Sequence, residues 1–273
     1  MEDHKRAFVK LFKETARYKN RYEVFRDFVE CSAISLHNAV NKKQCLEDEY
    51  MQIVKRYEKE DLIKMSHLLS HVVMGLEAQT CDFMGSVFME LELGSSAIGQ
   101  FFTPYPVSKM MAQVVGVPDS LDYINEGDIW TLQEPACGSG GMIIAYTEML
   151  LEKGINPQKA IWAHCTDVDT VAAMMCYIQL SLLHIPAEIV IGNSLTLECR
   201  RVMRTPAHYL GFWDSKLKRH WQEKKVSSNS ELIIDKPKSI SVDSMEEESS
   251  DINVKRLDEV NDKGQMSLFD MSL

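Results

Sequence analysis

The spacing of apolar residues divides the chain into a helical first third and a mixed region that begins at Gly94. Up to about residue 92 there is almost no Gly or Pro, and apolar residues recur at three- and four-residue steps, as at Leu62, Met65 and Leu69. This period is typical of amphipathic helices. The pattern predicts four or five helices, which form a helical N-terminal domain over residues 1–93.

After Gly94, short β-rich runs alternate with helical stretches. The predicted elements are strands at 128–133, 160–165 and 187–191 and helices at 141–153 and 169–183. This β-α-β-α-β order predicts a parallel sheet with right-handed crossovers and a ligand site at the carboxyl ends of its strands. The expected fold class is therefore α/β, with the sheet domain over residues 94–225.

Charge is unevenly distributed along the 273 residues, whose 30 Lys and Arg against 40 Asp and Glu give a net charge of −10. Residues 1–26 hold eight basic and four acidic side chains, a balance of +4, and residues 200–225 hold eight and two, a balance of +6. A nucleic-acid partner is therefore not excluded by the acidity, although a solvated helix face also explains the first segment. Residues 226–273, with five basic and eleven acidic residues and many serines, are expected to be a disordered acidic tail.

Two further features bear on class and partners. Residues 200–225 interleave basic side chains with Tyr209, Phe212, Trp213 and Trp221, which fits either a surface for phosphates and bases or a terminal amphipathic helix packed on the sheet. No apolar run approaches the roughly 18 residues of a membrane span, and seven cysteines without a C-x-x-C spacing fit reduced thiols. We expect a cytoplasmic protein without a membrane partner.

A glycine-rich loop joins the first predicted strand to its helix. Glu134-Pro-Ala-Cys-Gly-Ser-Gly-Gly141 places three glycines in four positions, which allows a tight turn and close approach of a ligand to the backbone. The loop is neither a P-loop nor a G-x-G-x-x-G dinucleotide loop, and a merely flexible turn is the alternative. Asp167, at the end of the second strand, is suited to accept ribose hydroxyls, while Asp169 is suited to cap the next helix. Asn193, after the third strand, is suited to an adenine edge or to a plain turn.

Four segments together resemble the cofactor half of adenine-N6 DNA methyltransferases, above all the modification subunits of type I restriction-modification systems. They are Gln-Phe-Phe-Thr-Pro at 100–104, the glycine loop, Thr-Asp-Val-Asp at 166–169 and Gly-Asn-Ser-Leu at 192–195. The resemblance implies a Rossmann-like sheet that binds S-adenosylmethionine, methyl transfer to N6 of adenine in DNA, and a separate specificity subunit as a partner.

The same resemblance assigns the cofactor-binding residues. Gln100, Phe102, Thr103 and Pro104 would hold the methionine end, and Gly138, Ser139 and Gly140 the backbone of the cofactor. Asp167 would bind the ribose and Asn193 the adenine. Glu134 stands where the family usually has Asp. No metal site is expected.

The catalytic motif of this family, Asn/Asp-Pro-Pro-Tyr/Phe, is missing, because the chain has no Pro-Pro pair. In such enzymes the motif accepts hydrogen bonds from the adenine amino group and stacks on the flipped base. The nearest candidates by position are Thr205, Pro206 and Tyr209. The alternatives are a site completed by another chain, a catalytically defective cofactor-binding module on DNA, or a methyltransferase acting on RNA or protein.

The acidic tail ends in a short peptide, Gln265, Met266, Ser267, Leu268 and Phe269. It resembles the Gln-Leu-Ser/Asp-Leu-Phe peptides by which bacterial replication and repair proteins bind the sliding clamp. Such a peptide presents apolar anchors on a flexible tether, although a random apolar terminus is the alternative. The sequence thus predicts DNA and the sliding clamp as partners in a bacterial cell, with a phage or plasmid as an alternative origin of the gene.

Overall fold

The computed structural model describes residues 2–94, 102–116 and 129–231, with side chains described up to residue 222. The chain divides into two compact units, residues 1–228 and 229–273. All elements below lie within the first unit, except the last residues of the final helix.

Five α-helices make up the first third of the chain: α1 (Glu2–Glu14), α2 (Arg21–Asn38), α3 (Gln44–Val54), α4 (Lys59–Ala78) and α5 (Phe83–Glu90). Their apolar faces meet in an aromatic core in which Phe25 contacts Phe12, Phe28 and Phe88 edge-on. The side chain of Asn20 caps α2 by accepting hydrogen bonds from the backbone N–H groups of Tyr22 and Glu23. The predicted number of helices is confirmed.

Four strands form one sheet in the order β1-β2-β3-β4: β1 (Trp130–Glu134), β2 (Ile161–Asp167), β3 (Ala187–Asn193) and β4 (Glu198–Arg204). The first three strands are parallel, with Trp130 opposite Ile161 and Ala163 opposite Ala187. This confirms the predicted parallel β-α-β-α-β arrangement and the α/β fold class. The sequence did not predict β4, which pairs antiparallel with β3 and buries only Met203.

Six helices complete the described part of the chain: α6 (Tyr105–Val115), α7 (Gly141–Glu152), α8 (Pro157–Ala160), α9 (Thr170–Leu182), α10 (Pro206–Leu210) and α11 (Trp213–Glu231). The crossover helix α7 starts at the predicted residue, and α9 starts one residue after its predicted start. As expected, Asp169 caps α9 by accepting a hydrogen bond from the N–H of Ala172 at 2.8 Å.

The helical region and the sheet share one hydrophobic core, which runs from Phe8 in α1 to Met203 in β4. The sequence pattern changes at residue 93, but the helices before it and the sheet after it belong to the same compact unit, residues 1–228. On the other sheet face Trp213 of α11, 1% exposed, packs with Trp162 and Leu217. The amphipathic-helix interpretation of residues 200–225 therefore holds for Trp213, whereas Phe212 and Trp221 are exposed.

Helix α11 continues to Glu231, so residues 226–231 of the predicted tail are helical. The clamp-like peptide at residues 265–269 lies outside the described residues. Within the described parts of the chain, the helices are too short or too polar to cross a membrane.

Candidate cofactor site

The glycine-rich loop lies at the carboxyl end of the parallel strands. It leaves β1 at Glu134 and turns into α7, whose N-cap is Gly140. The loop is tied to the neighbouring strand, since the N–H of Cys137 donates to the carbonyl of Thr166 at 2.9 Å. This is the edge of a parallel sheet at which ligands bind in open α/β folds.

Two glycines of the loop have backbone conformations and neighbours that exclude a side chain. Gly138 has φ +53°, and a Cβ there would lie 2.9 Å from Cδ1 of Phe102. Gly140 has φ +92°, and a Cβ there would lie 3.0 Å from Sγ of Cys176. The glycines therefore permit both the left-handed turn and the close packing of the loop between α9 and the segment before α6.

Asp167, the last residue of β2, is hydrogen-bonded to the backbone of the glycine loop. Its Oδ2 accepts a 2.7 Å hydrogen bond from the N–H of Gly138, and its Oδ1 accepts a 2.8 Å bond from the N–H of Asp169. Burial raises the pKa of this carboxyl, against the lowering effect of these two bonds. Each carboxylate oxygen can accept a further hydrogen bond, so the group remains a suitable acceptor for ribose hydroxyls.

A buried polar network fixes the loop from the other side. Asp82 caps α5 by accepting from the N–H of Gly85, and its Oδ2 accepts a 2.6 Å hydrogen bond from the Ser139 hydroxyl. The Gln179 amide of α9 donates to Asp82 Oδ1 and to the Ser139 carbonyl, both at 2.8 Å. The Gln179 oxygen in turn accepts from the N–H of Met84 at 3.0 Å. The helical region thus holds the glycine loop directly.

A cleft of about 200 Å³ opens over the loop. It is lined by residues from five places in the chain: Asp82, Phe102, Thr103, Ser108, Ala136, Cys137, Gly138, Ser139, Gly141, Met142, Asp167 and Ala172. Two of these side chains are carboxylic acids, and among the described lining residues none is basic. Such a cleft favours a ligand with positive charge over a phosphate ester. A larger cavity of about 340 Å³, lined by Asn156 and Ile185 among others, lies near the starts of β2 and β3 and has no carboxylate in its lining.

The structure brings five of the predicted cofactor residues together in this cleft: Phe102, Thr103, Gly138, Ser139 and Asp167. Pro104 adjoins it as the N-cap of α6, and Gly140 as the N-cap of α7. Gln100 lies outside the described residues.

Glu134 and Asn193 lie at the same sheet edge but are not among the residues lining the cleft. Glu134 accepts from the N–H of Ala136 at 3.2 Å, and burial raises the pKa of its carboxyl. The Asn193 side-chain oxygen accepts from the N–H groups of Leu195 and Thr196 at 2.9 and 3.2 Å. The turn-residue interpretation of Asn193 is therefore seen in the structure.

The candidate catalytic residues Thr205, Pro206 and Tyr209 are not brought to the cleft. The Thr205 hydroxyl donates to the Ile185 carbonyl at 2.8 Å and accepts from the N–H of Ala187, the first residue of β3. Strand β3 has seven residues, so its amino end at Ala187 lies about 20 Å from its carboxyl end, at 3.3 Å per residue. The cleft is at the carboxyl end of the strands.

Pro206 and Tyr209, the other two residues proposed for catalysis, also have contacts or positions that belong to the fold. Tyr209 accepts a 2.8 Å hydrogen bond from Asn41, and Pro206 begins α10. The geometry corrects the sequence-based choice of Thr205, Pro206 and Tyr209. A position after the third strand did not bring this segment to the cleft, because β4 runs antiparallel to β3 and ends at the opposite end of the sheet.

Sequence reasoning missed the polar residues Asp82, Ser108 and Gln179 at this site, of which Asp82 and Ser108 line the cleft and Gln179 supports the loop. Only Asp82 had a local signal, because it precedes an apolar helical run as an N-cap residue does. That signal indicates a helix start but not that the carboxylate also reaches a loop 57 residues away.

Comparison with known proteins gives the family. The sequence profile of the family described as N-6 DNA Methylase matches residues 88–235, which is more than half of the chain. No curated protein matches the sequence.

The solved structures that are similar to this chain include two methyltransferase structures. One was assigned as a class I S-adenosylmethionine-dependent methyltransferase from Listeria monocytogenes, with 12% identity and a TM-score of 0.38 over 68% of this chain and 52% of that chain. The other is a type I restriction-modification methyltransferase subunit from Streptococcus thermophilus, with 13% identity and a TM-score of 0.33 over 67% of this chain and 55% of that chain. The present chain thus spans about half the length of each. The profile match covers the α6 segment, the glycine loop and the ends of β2 and β3, and by it the chain belongs to the N-6 DNA methylase family.

Proposed function

We propose that this protein binds S-adenosylmethionine in the cleft over the glycine loop and transfers a methyl group to N6 of adenine in DNA. The observation that carries the proposal is the acidic, glycine-floored cleft at the carboxyl end of the sheet, in a chain of the N-6 DNA methylase family. A ligand with a sulfonium and an ammonium group suits two lining carboxylates better than a nucleotide phosphate does.

The residues present fit this cofactor. Gly138 and Gly140 have positive φ angles and pack closely against Phe102 and Cys176, and Asp167 has acceptor capacity left for ribose hydroxyls. When bound, the cofactor supplies a methyl group on a positively charged sulphur. The protein's own part is to hold the loop rigid through Asp82 and Ser139 and to orient the cofactor for in-line transfer.

Among the described residues, no group stands out as the acceptor for the adenine amino hydrogens or as the surface that stacks on the base. Direct transfer needs acceptors for the adenine amino hydrogens and a surface that stacks on the base. The chain has no Pro-Pro motif, and Thr205 to Tyr209 lie at the other end of the sheet. This observation favours a second candidate function, a cofactor-binding module on DNA that is catalytically defective or that depends on another chain, such as a specificity or catalytic subunit.

Incubation with methyl-labelled S-adenosylmethionine tests both. We expect label in N6-methyladenine of DNA, and not in RNA or protein, from the wild type but not from Asp167→Ala. Cofactor binding without transfer to any DNA would refute the enzyme and support the module. Label in RNA or protein alone would refute DNA as the substrate.

We further propose that residues 265–269 tether the protein to the bacterial sliding clamp, in the cytoplasm of the host cell. The support is the sequence itself: a Gln and a Leu-Phe pair follow an acidic, Ser-rich stretch. The double variant Leu268→Ala, Phe269→Ala should lose binding to purified clamp while S-adenosylmethionine affinity is unchanged. Equal clamp binding by both proteins would refute the tether.

A further inference from the structure

The segment that follows β4 exposes large apolar side chains among basic ones. Leu210, Phe212 and Trp221 are 61%, 76% and 44% exposed. Lys218 and Arg219, which precede Trp221 on α11, are exposed as well. Several exposed apolar side chains in one short segment, unlike scattered ones, are typical of a surface that binds a partner.

The packing of α11 determines which of its side chains face solvent. Trp213 and Leu217, one helical turn apart, are buried against the sheet. At 3.6 residues per turn, Lys218 and Arg219 then lie on the side of the helix away from the sheet, in agreement with their exposure. The same helix therefore has a core side and a basic outer side, so the two interpretations of residues 200–225 apply to different sides of it.

The fold places a second basic segment beside this one. The side chain of Asn41, in the loop between α2 and α3, donates a 2.8 Å hydrogen bond to the Tyr209 hydroxyl of α10, a contact between residues 168 apart in the chain. Lys42 and Lys43, the next two residues of that loop, are exposed. The loop thus adds two lysines beside the exposed segment, which the charge balance of residues 200–225 does not include.

Acidic side chains in this part of the fold are neutralised by arginines. Asp214 lies 3.2 Å from Arg204, and Glu49 lies 2.8 Å from Arg201. Four exposed basic side chains and one aromatic side chain make up what we call the basic surface: Lys42, Lys43, Lys218, Arg219 and Phe212. Its charge is complementary to phosphate, although the chain as a whole has a net charge of −10.

We infer that the basic surface binds the sugar-phosphate backbone of double-stranded DNA. The choice of DNA as the nucleic acid rests on the proposed function. Its lysines and arginine neutralise phosphates, and Phe212 supplies an apolar contact to sugars or bases. The surface adjoins α10 at the amino end of β3, because Thr205, just before α10, is hydrogen-bonded to Ala187. It is therefore remote from the cofactor cleft, so its residues position DNA and take no part in methyl transfer.

DNA affinity measured over a range of salt concentrations tests the inference. The ligand is a fluorescent DNA duplex of mixed sequence, followed by fluorescence anisotropy. The double variants Lys218→Glu, Arg219→Glu and Lys42→Glu, Lys43→Glu should each bind it about tenfold or more weakly than wild type. Each should also reduce the slope of log affinity against log salt by about two, because two phosphate contacts are lost.

The matched control makes the same change of net charge elsewhere. Lys10 and Lys13 are exposed on α1, and the double variant Lys10→Glu, Lys13→Glu should keep the wild-type salt slope. Phe212→Ala should weaken DNA binding severalfold without changing the slope, because it removes an apolar contact and no charge. Thermal unfolding and S-adenosylmethionine affinity should be unchanged in all four variants. The loop pair carries the test if the change in α11 destabilises the protein.

The outcomes separate this inference from the proposed function. Wild-type affinity and slope in both surface variants would overturn the inference, and so would an equal loss in the control, which would reflect net charge alone. Tighter binding of wild type to an RNA duplex would overturn DNA as the ligand. The expected losses in a protein that methylates no DNA would refute the methyltransferase and leave the inference standing. Absence of DNA binding by wild type would overturn the inference, while S-adenosylmethionine binding would still test the cofactor site.

Discussion

The Asp82 network allows a sharp prediction, because two substitutions at one position should behave very differently. Asp82 accepts three hydrogen bonds, from the N–H of Gly85, the Ser139 hydroxyl and the Gln179 amide. Asp82→Ala leaves these three buried donors without an acceptor, at about 1–3 kcal/mol each. Single substitutions rarely cost more than about 4–5 kcal/mol, so we expect unfolding free energy to fall by about 3–5 kcal/mol.

Asp82→Asn has the same shape and can keep all three contacts. Its oxygen can accept from Gly85 and Gln179 as Oδ1 does, and its amide can donate to the Ser139 hydroxyl, which is also an acceptor. We expect a loss of only about 1 kcal/mol, because a charge-assisted bond becomes a neutral one.

Urea unfolding of the wild type and both variants, each with and without S-adenosylmethionine, measures these differences. Cofactor affinity should fall in the same order, since the network holds the glycine loop. A double-mutant cycle with Ser139→Ala should show strong non-additivity with Asp82→Ala. Equal stability of the Ala and Asn variants, or additive effects in the cycle, would refute a role for the network in holding the loop.

Three further predictions test other parts of the account. Gly138→Ala should lower stability by at least about 1 kcal/mol, because of its positive φ and contact with Phe102, and should abolish detectable cofactor binding in calorimetry; normal binding would contradict the proposed role of the glycine loop. Thr205→Val should lower the unfolding free energy by about 1–3 kcal/mol without changing cofactor affinity, whereas a specific loss of methyl transfer in a stable variant would restore Thr205 as a catalytic candidate. Burial opposes ionisation of Glu188, but hydrogen bonds from His164 and Arg204 outweigh this effect and lower the pKa of the Glu188 carboxyl below 4.5. The contribution of Glu188 to stability is therefore present above that pH and is lost as the pH falls through the folded-state pKa. Denaturant unfolding across this acid range should therefore show a smaller pH dependence for Glu188→Gln than for wild type, and identical curves would contradict the ion pair.

The sequence was most informative where local patterns coincide with topology. Periodicity and turn residues predicted the number of helices in the first third, the parallel strands β1 to β3 and the cap at Asp169. The glycine loop and Asp167 were assigned to one site because carboxyl ends of parallel strands share an edge, and the structure places both in one cleft.

The residues that sequence reasoning missed act over long sequence separations. The contact between Asp82 and Ser139 joins residues 57 apart, and Gln179 lies 97 residues from Asp82. Neither spacing nor composition marks such pairs. The Thr205 segment failed for a related reason: an exposed, charged edge strand has no apolar alternation, so its reversal of direction was not visible in the pattern.

The most direct test of the central claim is a crystal structure of the protein with S-adenosylhomocysteine, the demethylated and unreactive form of the cofactor. The account predicts density along Gly138 to Gly140, with the ribose hydroxyls on Asp167. Density for the ligand elsewhere on the protein, or its adenosine bound without contact to Asp167 and the glycine loop, would contradict the account.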